Sequence, residues 1–203
     1  MVSILDPIVK KQGDTLKSQS WYKSQIANLT DRITAGKLLR DGTLNNRPSG
    51  GRLNMFLYDP KTKTRLPYYD VFPLVLPIDT IKGGFLGVNF HYLPPALRLR
   101  FLETLQEFTN NSKFNQSTRI DVSYDDLKKN KFVKPTIKKY LYTQTRSNFL
   151  RINANQAPIA VFLPVAQFRK AGARTVYRDS REMLWVLDNA LKTDTINYVP
   201  QIT

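Results

Sequence analysis

The chain has 203 residues, of which 41% are hydrophobic, and this is enough to bury the core of one domain with appendages. Its 31 Lys and Arg residues against 16 Asp and Glu residues give a formal net charge of +15, so a polyanion is the expected partner: nucleic acid, an anionic membrane face or an acidic protein. The lack of cysteine excludes disulfides and thiolate metal sites, and the N-terminal sequence predicts neither a secretory signal nor a membrane span.

The first 50 residues are predicted to form an arm. Residues 1–19 show no sustained periodicity and are expected to be extended or disordered. A helix is predicted over 19–40, because apolar residues recur at spacings of three and four: Tyr22, Ile26, Leu29 and Ile33. Turn-forming residues follow over 41–51 and predict a linker. Because the apolar stripe of this helix is narrow, the helix must dock on a partner or on its own domain, and we expect the arm to contact another subunit.

A turn-rich sheet is predicted from residue 51 to residue 92. Residues 53–58 and 65–69 read as the two strands of a hairpin, with a turn over 59–64. Residues 71–78 are nearly all apolar but contain two prolines, which predicts an edge strand or a strand interrupted by bulges. After Gly83 and Gly84, the alternation over 85–92 predicts a half-buried strand.

The rest of the chain is predicted to add helices and strands to this sheet. A helix should begin at Pro94 and Pro95 and end near Asn110, since proline suits the first helical turn. The further predicted elements are a strand over 118–124, helices over 123–129 and 135–147, strands over 149–153 and 159–163, the second of them central, and a last helix over 174–191.

Together these elements predict an α+β fold. We expect a small antiparallel, barrel-like sheet with helices packed on it and an extended N-terminal arm. The corresponding division of the chain is an arm with one helix and a linker over 1–50, a single domain over 51–191 and a C-terminal tail over 192–203.

The sequence offers little material for catalysis. His91 is the single histidine and is expected to be packed or hydrogen-bonded within the fold. A magnesium-dependent nuclease would need clustered carboxylates, and the candidates that could converge are Asp59, Asp70, Asp79 and Asp121. Aspartates in turns and at strand ends mostly cap the backbone, and the glycine pairs match no nucleotide-binding loop. We therefore expect no enzymatic activity, no metal and no cofactor.

Basic side chains are the better candidates for function. The predicted 135–147 helix places Lys139, Tyr142 and Arg146 on one face, and the last helix repeats arginines at a spacing of four and three. Two such stripes and a basic hairpin tip favour phosphate contacts over solvated helix faces. The predicted DNA-binding residues are Lys61, Lys63, Arg65, Lys128, Lys129, Lys131, Lys134, Lys138, Lys139, Tyr142, Arg146, Arg169, Lys170, Arg174, Arg178 and Arg181.

Aromatic residues of the sheet could stack on bases, but a packed core is the expected role for most of them. Tyr68 and Tyr69 are adjacent and are expected to face opposite ways in a strand. One of the two is therefore the best candidate for an exposed contact residue.

Several long motifs resemble a known family. They are YDPKTKTRLPYYDVFPLVLPI, GGFLGVNFHYLPP, KPTIKKYLY and IAVFLPVAQFRKA, with RDSR further on, and the likeness covers about residues 51–181. In these motifs the chain resembles the DNA end protectors of tailed myophages, which are small virion proteins.

The resemblance implies a head-completion protein that binds the ends of packaged double-stranded DNA near the portal and neck proteins and shields them from host exonuclease. It implies a location in the virion, and in the host cytoplasm during assembly and after injection. It supplies no catalytic residues and no DNA contacts. Two alternatives stay open: a structural neck, tail or baseplate protein that acts only through protein contacts, and a head-completion nuclease.

Overall fold

The computed structural model describes residues 6–12, 17–18, 20–22, 24–25, 40, 42–106, 108–109, 119–128, 133–163 and 165–178. Helices and antiparallel strands are mixed in these ranges, which confirms the predicted α+β class. None of the helices described is long and apolar enough to cross a membrane. The division into an arm, one domain and a tail stays a prediction.

Eight strands are described, and six of them form the main sheet. The strands are β1 (Thr43–Asn45), β2 (Leu53–Met55), β3 (Tyr69–Asp70), β4 (Leu74–Ile81), β5 (Gly84–Asn89), β6 (Ile137–Leu141), β7 (Phe149–Ile152) and β8 (Phe168–Arg169). The main sheet has the order β1-β7-β2-β4-β5-β6 with antiparallel pairing throughout, and β3 pairs with β8 in a separate ribbon. The main sheet is open rather than closed into the barrel-like form that we predicted.

The longest strand lies inside the main sheet. β4 pairs with β2 on one side and β5 on the other, so the predicted edge position is wrong. The predicted interruption is present, because the register shifts between Pro77 and Asp79. Proline cannot donate to a ladder, and the irregularity accommodates it within an interior strand. The tight turn to β5 uses Gly83 with φ of +75°, a conformation that favours glycine.

The α-helices whose bounds lie within the described ranges are α1 (Asp6–Gln12), α2 (Pro95–Gln106), α3 (Tyr124–Lys128), α4 (Ala157–Ala160) and α5 (Ala173–Arg178). Short 3-10 helices cover Phe90–Tyr92, Lys134–Thr136, Tyr142–Gln144 and Ala154–Gln156. The predicted starts of α2 and α3 are confirmed. α2 ends at Gln106, before the predicted end near Asn110, and residues 179–191 of the predicted last helix lie outside the described ranges.

The N-terminal segment differs in part from the predicted arm. Residues 6–12 are helical rather than extended, and Ile8 is 1% exposed in the main core. Residues 20–22 and 24–25 are helical as predicted, and the ring of Tyr22 stacks on Phe162 with centroids 4.9 Å apart. Most of the predicted 19–40 helix lies outside the described residues. The predicted linker over 41–51 contains the edge strand β1.

Two segments adopt the opposite secondary structure from the one predicted. The predicted 135–147 helix contains β6 between two 3-10 helices, because this segment pairs with β5 over five residues. The predicted central strand over 159–163 begins within helix α4 and continues as turns that bond back to it. Its apolar residues are buried, but Pro158 lies in a first helical turn, where proline is tolerated.

Two further predicted strands do not form as expected. Residues 65–69 do not pair with 53–58, since β2 pairs with β4 and β7 instead. In the described part of the predicted strand over 118–124, β pairing is limited to one isolated bridge, between Ile120 and Thr109. The predicted strand at 149–153 is confirmed as β7, and the predicted strand at 85–92 is confirmed as β5 with its end wound into a 3-10 helix.

The main sheet carries a different core on each face. Leu74 and Leu76 of β4 belong to the main core, whereas Val75 between them belongs to a second, aromatic cluster. This second cluster contains Phe56, Tyr58, Phe85, Tyr140 and Phe149, whose rings pack mainly edge to face. The expected core role of most sheet aromatics is confirmed. Tyr58 and Tyr140 of this cluster also border the cavity described below.

Candidate nucleic-acid interface

The loop over 59–67 and strand β6 enclose a cavity of about 460 Å³. Three predicted DNA-binding residues border it, with Lys61 on the loop and Lys138 and Lys139 on β6. The remaining walls come mainly from tyrosines and prolines of the loop, β3 and the core. We call this feature the lysine-lined cavity.

Backbone pairing fixes the loop opposite β6. Tyr58 forms a bridge with Thr145, and the amide of Asp59 donates to the carbonyl oxygen of Gln144 at 3.0 Å. The amide of Leu141 donates to the Tyr58 hydroxyl at 3.2 Å. These bonds join residues more than 80 positions apart in the sequence, so the cavity is a product of the tertiary fold.

Ion pairs and hydrogen bonds shape the tip of the loop. Lys63 Nζ donates to both carboxylate oxygens of Asp59 at 2.8 and 3.0 Å, and Arg146 Nη2 lies 3.7 Å from the same carboxylate. The hydrogen bond from Lys63 is the main reason that the pKa of Asp59 is lowered. One carboxylate therefore faces two cations, and Lys61 and Arg65 are exposed beside them.

The segment around β8 adds two more predicted residues to the loop. Lys170 Nζ donates to the carbonyl oxygens of Thr64 and Leu66, both at 2.9 Å. Arg169 pairs with Tyr69 in the β3–β8 ribbon. The structure thus brings Lys61, Lys63, Arg65, Lys138, Lys139, Arg146, Arg169 and Lys170 together around the loop and the cavity.

Lys138 is the most enclosed of these cations. Its Nζ lies 4.4 Å from the centroid of the Tyr92 ring, in a cation–π contact. Burial lowers the pKa of Lys138. Tyr68 packs against the same ring, with centroids 5.8 Å apart. Tyr68 and Tyr69 are both half-buried and both border the cavity, so strand alternation does not single out one of them.

Other predicted residues are placed differently. The predicted helical face of Lys139, Tyr142 and Arg146 is wrong because the segment is not an α-helix. The Tyr142 ring is covered by Arg47, whose Cζ lies 4.0 Å from the ring centroid. Lys134 is exposed just before β6. The side chain of Lys128 is outside the description, as are residues Lys129, Lys131 and Arg181.

The predicted basic stripe on the last helix is held in place by a buried arginine, Arg98. Arg98 is 1% exposed, and its Nη2 donates to the hydroxyl of Tyr177 at 2.7 Å. Nη2 also donates to the carbonyl oxygen of His91, and Nε and Nη1 donate to those of Leu93 and Val161. Arg98 therefore fastens α5, on which Arg174 and Arg178 are exposed, to α2 and to the end of α4. Whether this stripe and the cavity form one DNA surface stays a prediction.

A buried Asp–His pair lies behind the cavity. His91 is 0% exposed, and its Nδ1 lies 2.7 Å from Asp70 Oδ2, which confirms its expected structural role. Burial lowers the pKa of His91, so the ring is neutral at pH 7 and donates from Nδ1. Although burial opposes ionisation of Asp70, hydrogen bonds from His91 and from two backbone amides lower the pKa of that carboxyl.

Three of the four candidate acids of a nuclease site have separate partners. Asp59 binds Lys63, Asp70 binds His91, and Asp79 accepts a hydrogen bond from the amide of Tyr124 at 3.0 Å. In the part of the chain that the structure describes, no three His, Cys, Asp or Glu residues are grouped as metal ligands.

The sequence analysis did not identify one group of positively charged side chains, Arg52, Arg119 and Arg151. Arg52 is 8% exposed, and its pKa is lowered by burial and by the positive charges of Arg119 and Arg151. Arg52 Nη1 donates to Asn153 Oδ1 at 3.0 Å. Arg52 precedes β2 and Arg151 lies in β7, so this grouping depends on a strand pairing with no local signal in the sequence.

A surface of clustered lysines and arginines is typical of proteins that contact the nucleic-acid backbone. The model of the family described as Phage T4 terminal DNA protecting protein matches residues 6–185, and the chain belongs to that family. This finding confirms the predicted relationship to phage DNA end protectors. No curated protein and no solved structure matches the chain.

Proposed function

We propose that this protein binds the ends of linear double-stranded phage DNA through phosphate contacts that do not depend on base sequence. The observation that carries the proposal is the placement of Lys61, Lys138 and Lys139 around one cavity, with further cations on the adjoining loop. Lysine and arginine side chains supply affinity for phosphate without reading bases. The terminal DNA protecting family supplies the preference for ends.

Protection is steric in this proposal. The cations hold the domain at a DNA terminus, and its bulk denies that terminus to an exonuclease. No catalytic step is assigned, because the role of the family is protective and three of the four aspartates considered for a metal site, Asp59, Asp70 and Asp79, are used in structural contacts.

The proposed place of action is the virion, beside the portal or neck, and the host cytoplasm after injection. A contact surface for a neighbouring protein is available at a second hollow of about 450 Å³, bordered by Leu44 and Leu57. Leu44 is 62% exposed and Leu57 is 39% exposed, which is unusual for large apolar side chains in this fold. The same hollow is the observation that favours the alternative of a purely structural neck, tail or baseplate protein.

Binding to a linear duplex and to a closed circle of equal length separates these functions. We expect tighter binding to the linear form, a steep loss of affinity with added salt, and slower digestion of the linear form by an exonuclease. Absence of DNA binding near physiological salt would contradict the proposal and favour the structural alternative. Cleavage of either DNA on addition of Mg²⁺ would establish a nuclease instead.

A further inference from the structure

We propose that the lysine-lined cavity receives the terminal nucleotide of a DNA strand, with its terminal phosphate on Lys138 and its base against Tyr68. This inference rests on the proposed function, because it assumes that DNA ends are the ligand. It assigns to the cavity the task of distinguishing a DNA end from the interior of a duplex.

The size and lining of the cavity suit one nucleotide. Its volume of about 460 Å³ lies within the range of about 300–1,000 Å³ that is usual for small-molecule pockets. Its walls combine the lysines with the rings of Tyr68, Tyr69 and Tyr92. Aromatic rings stack on any base, so such a pocket accepts a nucleotide without selecting its sequence.

Lys138 is available to an anion because Asp70, the acidic residue that borders the cavity, already accepts hydrogen bonds at both carboxylate oxygens. Asp70 Oδ2 accepts hydrogen bonds from His91 Nδ1 at 2.7 Å and from Asn89 Nδ2 at 3.3 Å. Asp70 Oδ1 accepts from the amides of Phe72 and Gln167, both at 3.1 Å. The ammonium group of Lys138 therefore rests on the Tyr92 ring rather than on an acid.

Lys138 has no acidic partner among the residues that the structure describes, and burial of its ammonium group lowers its pKa. A phosphate in the cavity would supply the missing charge. Lys61 and Lys139 are exposed at the cavity border, where they can contact the next phosphates along the strand.

Two properties of a terminus make it fit where an internal nucleotide does not. A phosphate monoester carries about −1.5 to −2 charges at pH 7, compared with one for an internal phosphodiester. A terminal nucleotide has a neighbour on one side only, so the rest of the strand can leave the cavity in one direction. Its base is also the easiest to unstack, at a cost of a few kcal/mol or less. An internal nucleotide would have to bring two flanking strands past the loop over 59–67.

The test compares one duplex sequence with four kinds of ends: 5′-phosphate, 3′-phosphate, hydroxyl only, and both ends closed by hairpin loops. Binding is measured by fluorescence anisotropy at fixed salt. We expect one of the phosphorylated duplexes to bind about tenfold more tightly than the hydroxyl and closed forms. Which of the two does so identifies the strand polarity of the site.

The variant Lys138→Met removes the charge and keeps the apolar stem, and Tyr68→Leu removes the ring and keeps bulk. Each should reduce the preference for phosphorylated ends, measured as the ratio of the affinities for the phosphorylated and the hydroxyl-only duplexes, to less than about twofold. Lys82→Gln is the matched control, because Lys82 is exposed in the β4–β5 turn and does not border the cavity. Thermal unfolding shows whether each variant is folded, and the two variants test the site independently.

Equal affinity of the wild-type protein for open phosphorylated and open hydroxyl-only duplexes would overturn this inference, whereas tighter binding of both open forms than of the closed form would leave the proposed preference for ends intact. A preference that persists in folded Lys138→Met and Tyr68→Leu variants would overturn the assignment to this cavity. Loss of binding to every duplex in the wild-type protein would instead overturn the proposed function.

Discussion

Removing the two border lysines together tests the basic surface most directly. Lys61, on the loop over 59–67, and Lys139, on β6, both border the lysine-lined cavity, and both are exposed. Neither makes an ion pair with any residue that the structure describes, so substitution by glutamine should leave the described contacts of the fold in place. The double variant Lys61→Gln, Lys139→Gln therefore removes charge with little change in structure.

The expected magnitude follows from counterion release. Each phosphate contact contributes about 0.9 to the slope of log affinity against log salt concentration, so loss of two contacts flattens the slope by about 1.8. At about 0.15 M salt the same relation gives a loss of roughly fivefold for each contact and about 30-fold for two. The loss should be similar for DNA of any sequence, because phosphates carry no sequence information.

The assay is a salt titration of binding to a linear duplex, with Lys82→Gln as the single-charge control and with chemical denaturation of each variant. We expect the double variant to keep the wild-type free energy of unfolding, since exposed charges contribute little to it. A slope equal to that of the wild-type protein would refute the reasoning, because it would mean that neither ammonium group contacts phosphate.

Three further predictions concern the scaffold under this surface. Arg98→Met should lower the free energy of unfolding by about 3–5 kcal/mol in urea denaturation, because it leaves a buried hydrogen-bonding network without its donor. The pKa values of His91 and Asp70 are both lowered in the folded state, so the unfolded chain binds more protons on acidification. The free energy of unfolding should therefore decrease as the pH falls below about 6.5, where a free histidine protonates, and again below about 4, where a free aspartate does. Gly84→Ala should destabilise the protein by about 1–3 kcal/mol, because the new Cβ would meet a carbonyl oxygen of β6, whereas Gly50→Ala meets nothing and serves as the control.

Local signals predicted those elements whose ends are marked by proline and glycine. Pro94 and Pro95 marked the start of α2, and the pair Gly83 and Gly84 marked the turn into β5. In each case the signal is steric: proline suits a first helical turn, and glycine adopts the positive φ of a tight turn. Such constraints act within a few residues and can be read without knowledge of the fold.

The failures lie where long-range pairing decides between helix and strand. The sequence of β6 places Ile137 and Leu141 four residues apart, which fits a helix, but it also alternates well enough to pair with β5. The apolar run that begins at Ala157 suits a buried strand and a buried helix equally. We predicted a strand there, and its first residues form a helix. Only the partner elements settle such cases, and those partners are distant in the sequence.

The corrected secondary structure changes what the predicted cations can do. A helix carrying Lys138, Lys139 and Arg146 would present a straight positive stripe, which suits the side of a duplex. The strand and the 3-10 helix after it instead place these residues against the loop over 59–67, where two lysines border a hollow and the arginine meets the carboxylate of Asp59. A hollow of nucleotide size cannot admit a continuous duplex but can admit the last nucleotide of a strand. The arrangement that the sequence did not predict therefore favours recognition of an end over general binding along DNA.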